Sequence, residues 1–384
     1  MAEATAPPAD RRFPCPACGA DLRFQPGEGR LFCDHCGHAE TLTQDRPATG
    51  AIPETAFRRG IEDQLPAAET DEHRLSRCPN CGAEIRFDAA VHATECPFCA
   101  TPVVADPGLT RRIRPKGVAP FLIPEDQARR AMGDWLGSLW FAPSGLVAFA
   151  RKGRRLEGVY LPFWTFDADT QSDYGGQRGT IYYTSEQVAV RDAQGRLRTE
   201  MRQVQHVRWT PVAGRVRRFF DDVLVLASRA LPERHTTDLA PWDLSRLEPY
   251  QPEFLAGFRA ESYSVTLDQG MDQARTLMDR MIERDVRFDI GGDRQQIDRI
   301  DTDISHVTFK HVLLPVWSAA YRFGGQSYRF VVNGQTGKVS GERPWSVAKL
   351  AAAGIALALV VGVAVWVAQD PDAARATIEG CIGR

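Results

Sequence analysis

Eight of the nine cysteines fall into two sets with one internal spacing: Cys15-x2-Cys18, fourteen residues, Cys33-x2-Cys36, and Cys78-x2-Cys81, fourteen residues, Cys96-x2-Cys99. A Cys-x-x-Cys hook puts two thiolates on one tight turn, and two hooks facing each other complete a tetrahedral S4 site that suits Zn(II). Gly19, Gly37 and Gly82 follow three of the hooks, where a residue without Cβ lets the turn close on the sulfurs, and Ala100 follows the fourth. The repeated frame predicts two structural zinc ions with closed coordination shells.

Other chemistries fit these cysteines less well. Disulfides require an oxidising compartment, and Met1 to Phe13 has no apolar signal-peptide core. A redox Cys-x-x-Cys of the thioredoxin kind does not come in facing pairs. His35 and His38 flank the first set and are alternative ligands, but four thiolates already complete it. A ribbon this short buries too little apolar surface to fold alone, so metal binding, about 10–16 kcal/mol in small zinc peptides, must supply its stability.

The elements that position these sites are read from the rest of the chain. At 384 residues there is room for several domains, and a net charge of -2 with 25% charged residues describes a globular protein rather than one that coats nucleic acid. The expected division is a zinc ribbon at 11–40, a linker at 41–73 with a short helix near Glu54 to Leu65, a second ribbon at 74–104 and a body at 107–345. A transmembrane helix at 348–368 and a tail at 369–384 complete it.

The body reads as α+β. Pro124 opens a helix through Trp140 with Ala128, Met132, Trp135 and Leu136 on one side, and a second helix covers Asp268 to Arg284 with a stripe of Met271, Ala274, Leu277, Met278 and Met281. Strands are expected at Gly158–Phe166, Thr180–Val190, Arg198–Trp209, Val223–Ala227, Val286–Ile290, His306–Leu314, Trp317–Phe323 and Tyr328–Val332. Leu161-Pro162-Phe163-Trp164 is echoed by Leu314-Pro315-Val316-Trp317, and each is followed by an aromatic-Gly-Gly-Gln run, Tyr174 to Gln177 and Phe323 to Gln326. We read two related hairpins, with proline at a strand edge and tryptophan packed beneath; the alternative is that the tryptophans line a groove.

Ala351 to Ala368 are eighteen consecutive uncharged residues, and as a helix they run about 27 Å against a hydrocarbon core of roughly 30 Å. Trp345 and Trp366 lie near the two ends, where indoles favour the membrane interface. Lys338, Arg343 and Lys349 precede the span and Gln369-Asp370-Pro371-Asp372 follows it, which places the bulk of the chain in the cytoplasm and the tail, with Cys381, outside. Gly354, Ala358 and Gly362 share one helix face, a small-xxx-small pattern that would allow a homo-oligomer.

Asn333-Gly334-Gln335-Thr336-Gly337-Lys338 resembles a phosphate loop only superficially. Two residues separate Gly334 from Gly337-Lys338 where a P-loop needs four, and Val339 follows the lysine, so a hairpin turn is expected. No catalytic constellation is found, and the chain is not expected to be an enzyme. Three basic runs, Arg111–Lys116, Arg151–Arg155 and Arg215–Arg218, read as solvated surface, with anionic membrane lipids as the next reading and nucleic acid the least favoured.

Cys-Pro-x-Cys-Gly at Cys15 and Cys78, the two Leu-Pro-x-Trp segments, and Val332 to Val339 leading through Gly341, Arg343 and Pro344 into the terminal apolar segment resemble bacterial TFIIB-type zinc-ribbon membrane proteins. Some of these carry a primosomal protein N′ or superfamily II helicase label. The resemblance covers nearly the whole chain. It implies a membrane adaptor working with SPFH-domain or phage-shock-type proteins. It does not bring helicase activity, because this chain has no Walker A loop. A membrane-tethered nucleic-acid-binding regulator is the competing expectation.

Overall fold

Three strands of unusual length organise the chain. A computed structural model describes residues 13–42, 52–61, 65–66, 69–87, 93–99, 101–104, 109–139, 156–191, 195–323, 326–342 and 346–369. The first ribbon is a sheet of β1 (Arg23–Gln25), β2 (Arg30–Phe32) and β3 (Ala39–Thr41). The segment after it contributes β4 (Thr55–Ala56) and α1 (Phe57–Ile61). Around the second ribbon lie β5 (Thr70–Arg77), β6 (Glu84–Phe87), β7 (Ala93–Glu95), β8 (Pro102–Val104) and β9 (Leu109–Ile113). The body runs through β10 (Gly117–Val118), α2 (Glu125–Ser138), β11 (Glu157–Arg191), β12 (Leu197–Leu226), α3 (Glu233–Leu239), β13 (Glu248–Pro249) and β14 (Arg259–Ser262). It continues with α4 (Leu267–Ile290), β15 (Arg294–Phe323), β16 (Gln326–Asn333) and β17 (Val339–Gly341), and α5 (Val347–Gln369) follows.

The motif echo is a structural duplication. β11 and β15 lie side by side antiparallel, with Leu161 opposite Leu314. Just before each Leu-Pro, the strand takes a short parallel neighbour from the other half: Val159 and Tyr160 pair with β14, Val312 and Leu313 with β10. Just after it, an antiparallel neighbour takes over: β12 from Phe163, β16 from Val316. Each proline therefore stands where its strand changes partners, in mid-sheet. The expected strand-edge placement is corrected, although the reason proline is tolerated, a missing N–H where no ladder bond is due, is the same. The two expected hairpins are β11–β12 and β15–β16. Gly175-Gly176 lies within β11, whereas Gly324-Gly325 lies outside the described residues.

Both tryptophans are core. The Trp164 indole N–H donates to the Val265 carbonyl at 3.0 Å and that of Trp317 to the Ile123 carbonyl at 2.8 Å, each one residue before a helix cap, Thr266 of α4 and Pro124 of α2. Trp164 is fully buried and Trp317 nearly so. α2 buries Ala128, Met132 and Leu136 against Trp317, Phe330 and the first ribbon, as its periodicity predicts.

α4 is longer than expected. The stripe Met271, Ala274, Met278 continues through Ile282, Val286 and Ile290, so the expected strand at Val286–Ile290 is instead the last two turns of this helix, stopped by Gly291 at φ 65. α4 packs lengthwise on β11, β12 and β15, where Phe166, Ala168, Phe220, Val225 and Phe309 meet it. The four expected strands between 158 and 227 are the two ends of β11 and β12. β15 likewise begins at Arg294, well before His306. Beyond Gly179, opposite Arg294, β15 ends its pairing, and among the described residues β11 and β12 continue as a two-stranded arm.

α5 lies where the apolar segment was expected. Its described large side chains are exposed, Ile355, Leu357, Leu359 and Val360 at 64–66%. Among the described residues no helix is long and apolar enough to cross a membrane, and in α5 the side chains of 347–348, of Val363 and of 366–369 fall outside that set. Trp345 and Cys381 also lie outside the described residues, as does the side chain of Trp366.

Candidate metal centres

Three of the four cysteine hooks are built by the same two backbone bonds. The amide of the first cysteine donates to a carbonyl five residues on, and the amide of the fifth residue donates back. These are Cys15 N–H to Ala20 O at 2.7 Å with Gly19 N–H to Cys15 O at 2.8 Å, Cys33 to His38 with Gly37 to Cys33, and Cys78 to Ala83 with Gly82 to Cys78. Gly19, Gly37 and Gly82 all take φ 75–76, the left-handed region that a side chain disfavours. Cys96 makes the first of these bonds, to Thr101 at 2.8 Å.

The hooks converge in pairs. Cys15, Cys18, Cys33 and Cys36 form one quartet and Cys78, Cys81, Cys96 and Cys99 the other, with all donor atoms within 4.8 Å of one another in each. Sγ–Sγ separations are 3.5 Å for Cys15–Cys36, 3.6 Å for Cys18–Cys33, and 3.5 Å for both Cys78–Cys99 and Cys81–Cys96. Four sulfurs at about 2.3 Å from one zinc sit about 3.8 Å apart, so both cages are the size of a ZnS4 centre. Among the described residues these are the only groups of three or more metal-ligating side chains, and His35 and His38 belong to neither. The two clusters fit two structural zinc ions.

The thiols are set up for a cation. The Cys36 amide brings Cys33 down to about 7. The Cys96 thiol and the Ala83 amide bring Cys81 down to about 5 against the opposing effect of burial, while Cys96 is driven up in turn. Adjacent sulfurs at this distance cannot all ionise unless a metal offsets their mutual repulsion.

The two centres differ in their surroundings. In the first, Cys15 and Cys33 are buried and Cys18 and Cys36 exposed; in the second, Cys78, Cys96 and Cys99 are buried and Cys81 half-buried. Neither ribbon is a free knuckle. Leu22, Phe24 and Leu31 of the first share a core with Phe121, Phe254 and Trp317, and Ile85, Phe98 and Val103 of the second share one with Val159, Leu161 and Val316. The Ser318 hydroxyl donates to Pro97 O at 2.9 Å and Arg259 to Glu95 O at 2.9 Å, which seats the last hook on the sheet. Between the ribbons lies a cavity of about 630 Å³ lined by Phe13, Leu22, Ile85, Phe98, Phe258 and Glu261. Burial raises Glu261 to about 8 there, with one oxygen accepting from Ser228 at 2.7 Å.

A further knuckle carries oxygen in place of sulfur. Asn333 N–H donates to Lys338 O at 2.8 Å and Gly337 N–H to Asn333 O at 2.9 Å, with Gly337 at φ 76, the pattern of the cysteine hooks. The Asn333 carboxamide oxygen accepts from the amides of Gln335 and Thr336 at 2.8 and 3.1 Å, the same two positions whose amides face the Cys33 and Cys78 sulfurs. Lys338 reaches Ala240 O at 2.8 Å. The segment joins β16 to antiparallel β17, the hairpin turn expected, and its likeness to the hooks lies in the spacing, since Asn-x-x-Thr-Gly repeats Cys-x-x-Cys-Gly.

The basic runs are largely paired within the protein. Arg215 forks onto Asp173, Arg217 bonds Gln171, Arg218 forks onto Asp285, Arg112 meets Glu84 and Lys116 meets Glu69. Residues 151–155 lie outside the described set.

Comparison with known proteins gives two similarities. Residues 9–41 match a family described as the zinc-finger of RNA-polymerase I-specific TFIIB, Rrn7. The chain is 27% identical over 342 residues to the uncharacterized protein YdjG of Bacillus subtilis (strain 168), covering 88% of this chain and 92% of that protein. No solved structure matches.

Proposed function

We propose that this chain is a non-catalytic zinc-ribbon adaptor held at the cytoplasmic membrane by α5, with its bulk in the cytoplasm, recruiting a protein partner of the SPFH or phage-shock type. The observation that carries the reading is the contrast between α5 and the rest of the chain. Both ribbons and both tryptophan motifs are locked into shared cores, whereas α5 presents apolar side chains that are mostly exposed. The uncharged run Ala351–Ala368 of the sequence makes about 27 Å of helix against a hydrocarbon core of roughly 30 Å, while the described side chains by themselves do not make a spanning helix. Leaving such a surface in water is unfavourable by about 25 cal/mol per Å². Lipid is the environment that removes this cost.

The zinc sites have the closed shells of structural metal, and the first ribbon turns the Cys18 and Cys36 side of its cage outward, which makes it the surface for a partner. Internal pairing of Arg215, Arg217 and Arg218 speaks against the nucleic-acid reading. The test is affinity capture from detergent-solubilised membranes with the full chain and with the Cys18→Ser/Cys36→Ser variant. Enrichment of an SPFH-domain or phage-shock protein by the native chain, lost in the variant, supports the reading. Equal capture by both chains, or no such protein with either, contradicts it.

A further inference from the structure

Residues 52–61 join the two ribbons along the chain and hold the body by few contacts. β4 is two residues long, with Thr55 opposite Phe309 and Ala56 opposite Thr308, and α1 buries none of its five residues. Thr55 is buried, Phe57 meets the Phe166 ring at 6.1 Å, and a Cβ on Gly60 would lie 2.5 Å from Leu267. A segment with so little burial opens locally at low cost.

Glu54 anchors this segment by charge. Thr308 Oγ1 donates to one of its carboxylate oxygens, and Lys310 Nζ donates to the other at 3.0 Å. Lys310 Nζ also lies 2.7 Å from Asp222 Oδ1, and the Asp222 amide donates to Asp167 Oδ1 at 2.8 Å. The Glu54 and Asp167 carboxyls are hydrogen-bonded to each other. Three carboxyls thus share one ammonium, and Asp167 and Lys310 are both buried. The sheet is deformed to build this cluster. Each neighbour of β11 carries an extra residue beside Asp167, and Asp222 on β12 and His306 on β15 take φ 50 and 51, a region disfavoured for residues with a Cβ. Such conformations persist only where the surrounding contacts enforce them.

Two carboxyl groups bond each other only with a proton between them, and one ammonium does not neutralise three carboxylates. We propose that this proton is a latch: while it is present Glu54 fastens residues 52–61 to the sheet, and its loss as pH rises sets Glu54 against Asp167 and frees the segment that joins the ribbons.

Burial, and then the Glu54 contact, holds Asp167 up at about 7. With the segment released, Asp167 loses Glu54 and returns toward the ordinary carboxyl range near about 4. Release therefore expels a proton between about pH 4 and 7, so opening grows with pH across that interval, by at most about tenfold per pH unit, and levels off above it. Among the described residues, Glu54, Asp222 and Lys310 are the charged groups that face Asp167. Asp221, Arg58 and Arg59 are exposed, Asp169 pairs with the exposed His306 at 3.1 Å, and Glu69 meets Lys116 at 3.3 Å. His311 lies on the opposite face of the sheet, against Trp164.

Hydrogen exchange of the zinc-loaded full chain in non-ionic detergent, corrected at each pH for the intrinsic exchange rate, tests the latch. Opening of residues 52–61 is expected to increase about tenfold or more from pH 5.5 to 7.5. At both pH values it should exceed opening of the core stretch Tyr160–Trp164 by about a hundredfold or more, as local release rather than global unfolding. Asp167→Asn supplies a carboxamide that donates to Glu54 without a titrating proton, and it should abolish the rise. Glu54→Gln, which changes only the segment itself, should abolish it as well. A rise that persists in either variant, pH-independent opening in the native chain, or opening of 52–61 no more frequent than that of Tyr160–Trp164 would overturn the inference.

Discussion

Pro162 and Pro315 occupy equivalent places in two adjacent strands, and each carbonyl accepts from the residue that follows its outer neighbour, Ala227 N–H at 3.0 Å and Gly334 N–H at 2.8 Å. The correspondence continues outward. The Ala227 carbonyl accepts from Ser264 and Val265, and the Gly334 carbonyl from Leu122 and Ile123; Val265 and Ile123, which receive the tryptophan N–H groups, immediately precede the caps of α4 and α2. The body is thus two copies of a strand–helix–strand–strand unit that exchange their short first strands. The ribbons are seated on this double unit, and the arm extends one of its hairpins.

The zinc centres should differ in lability. The native chain is expected to contain two zinc ions, and a chelator should remove the one behind the exposed Cys18 and Cys36 first. Cys36→Ser should lose one zinc and leave the body folded. Cys96→Ser should lose the other and lower the unfolding midpoint more, because Cys96 is itself buried in a core with Val159 and Leu161 whereas Cys36 is exposed. Elemental analysis with an indicator-dye time course and a thermal melt reads all of these. Equal release rates would contradict the assignment.

Trp164→Phe keeps most of the packing and removes the N–H that satisfies the Val265 carbonyl. A loss of about 1–3 kcal/mol is expected in denaturant unfolding, with Trp164→Ala costing about 3–5 kcal/mol. A change within error in both would return the tryptophans to the groove reading.

The zinc cages were fully legible, because one repeated spacing determines them locally. α2 and α4 were legible from the period of their apolar residues. The long strands were not, and β15 shows why. Ile297, Ile300, Ile304 and Val307 all pack toward α4, at spacings of three, four and three that read as helical. Register shifts at Gly175/Gly176 and Asp167/Asp169 insert an extra β15 residue at each point and turn a period of two into that pattern. Val286–Ile290, expected as a strand, holds a β-branched and an aromatic residue, yet the burial of Val286 and Ile290 continues the helical stripe of α4. The duplication was visible as a motif, but the exchange of first strands depends on pairings more than a hundred residues apart.

Stability should fall as the solution becomes alkaline. Burial, helped by the neighbouring Glu54, holds Asp167 up at about 7, and burial holds Glu261 at about 8. Both are ionised near pH 4 in the unfolded chain, so between about pH 5 and 8 the folded state binds more protons and stability decreases with pH. Asp167→Asn and Glu261→Gln should each flatten that decline between pH 6 and 8.5, a window in which the zinc thiolates remain ligated. An unchanged slope in both variants would contradict the assignment.

The oxygen knuckle should be sensitive at two glycines for different reasons. A Cβ on Gly334 would lie 2.8 Å from the Phe121 ring and 2.8 Å from the Pro315 carbonyl, whereas Gly337 has open space but φ 76. Gly337→Ala should cost about 1 kcal/mol and Gly334→Ala more, since backbone must move. Lys338→Ala should leave nucleotide binding undetectable in both proteins, which isothermal titration with ATP would show.

Membrane attachment through α5 is tested most directly by washing membranes with alkaline carbonate after expressing the full chain and a chain ending at Ser346. The full chain should remain in the pellet and the shortened chain should appear in the supernatant. Release of the full chain by the wash would contradict the account.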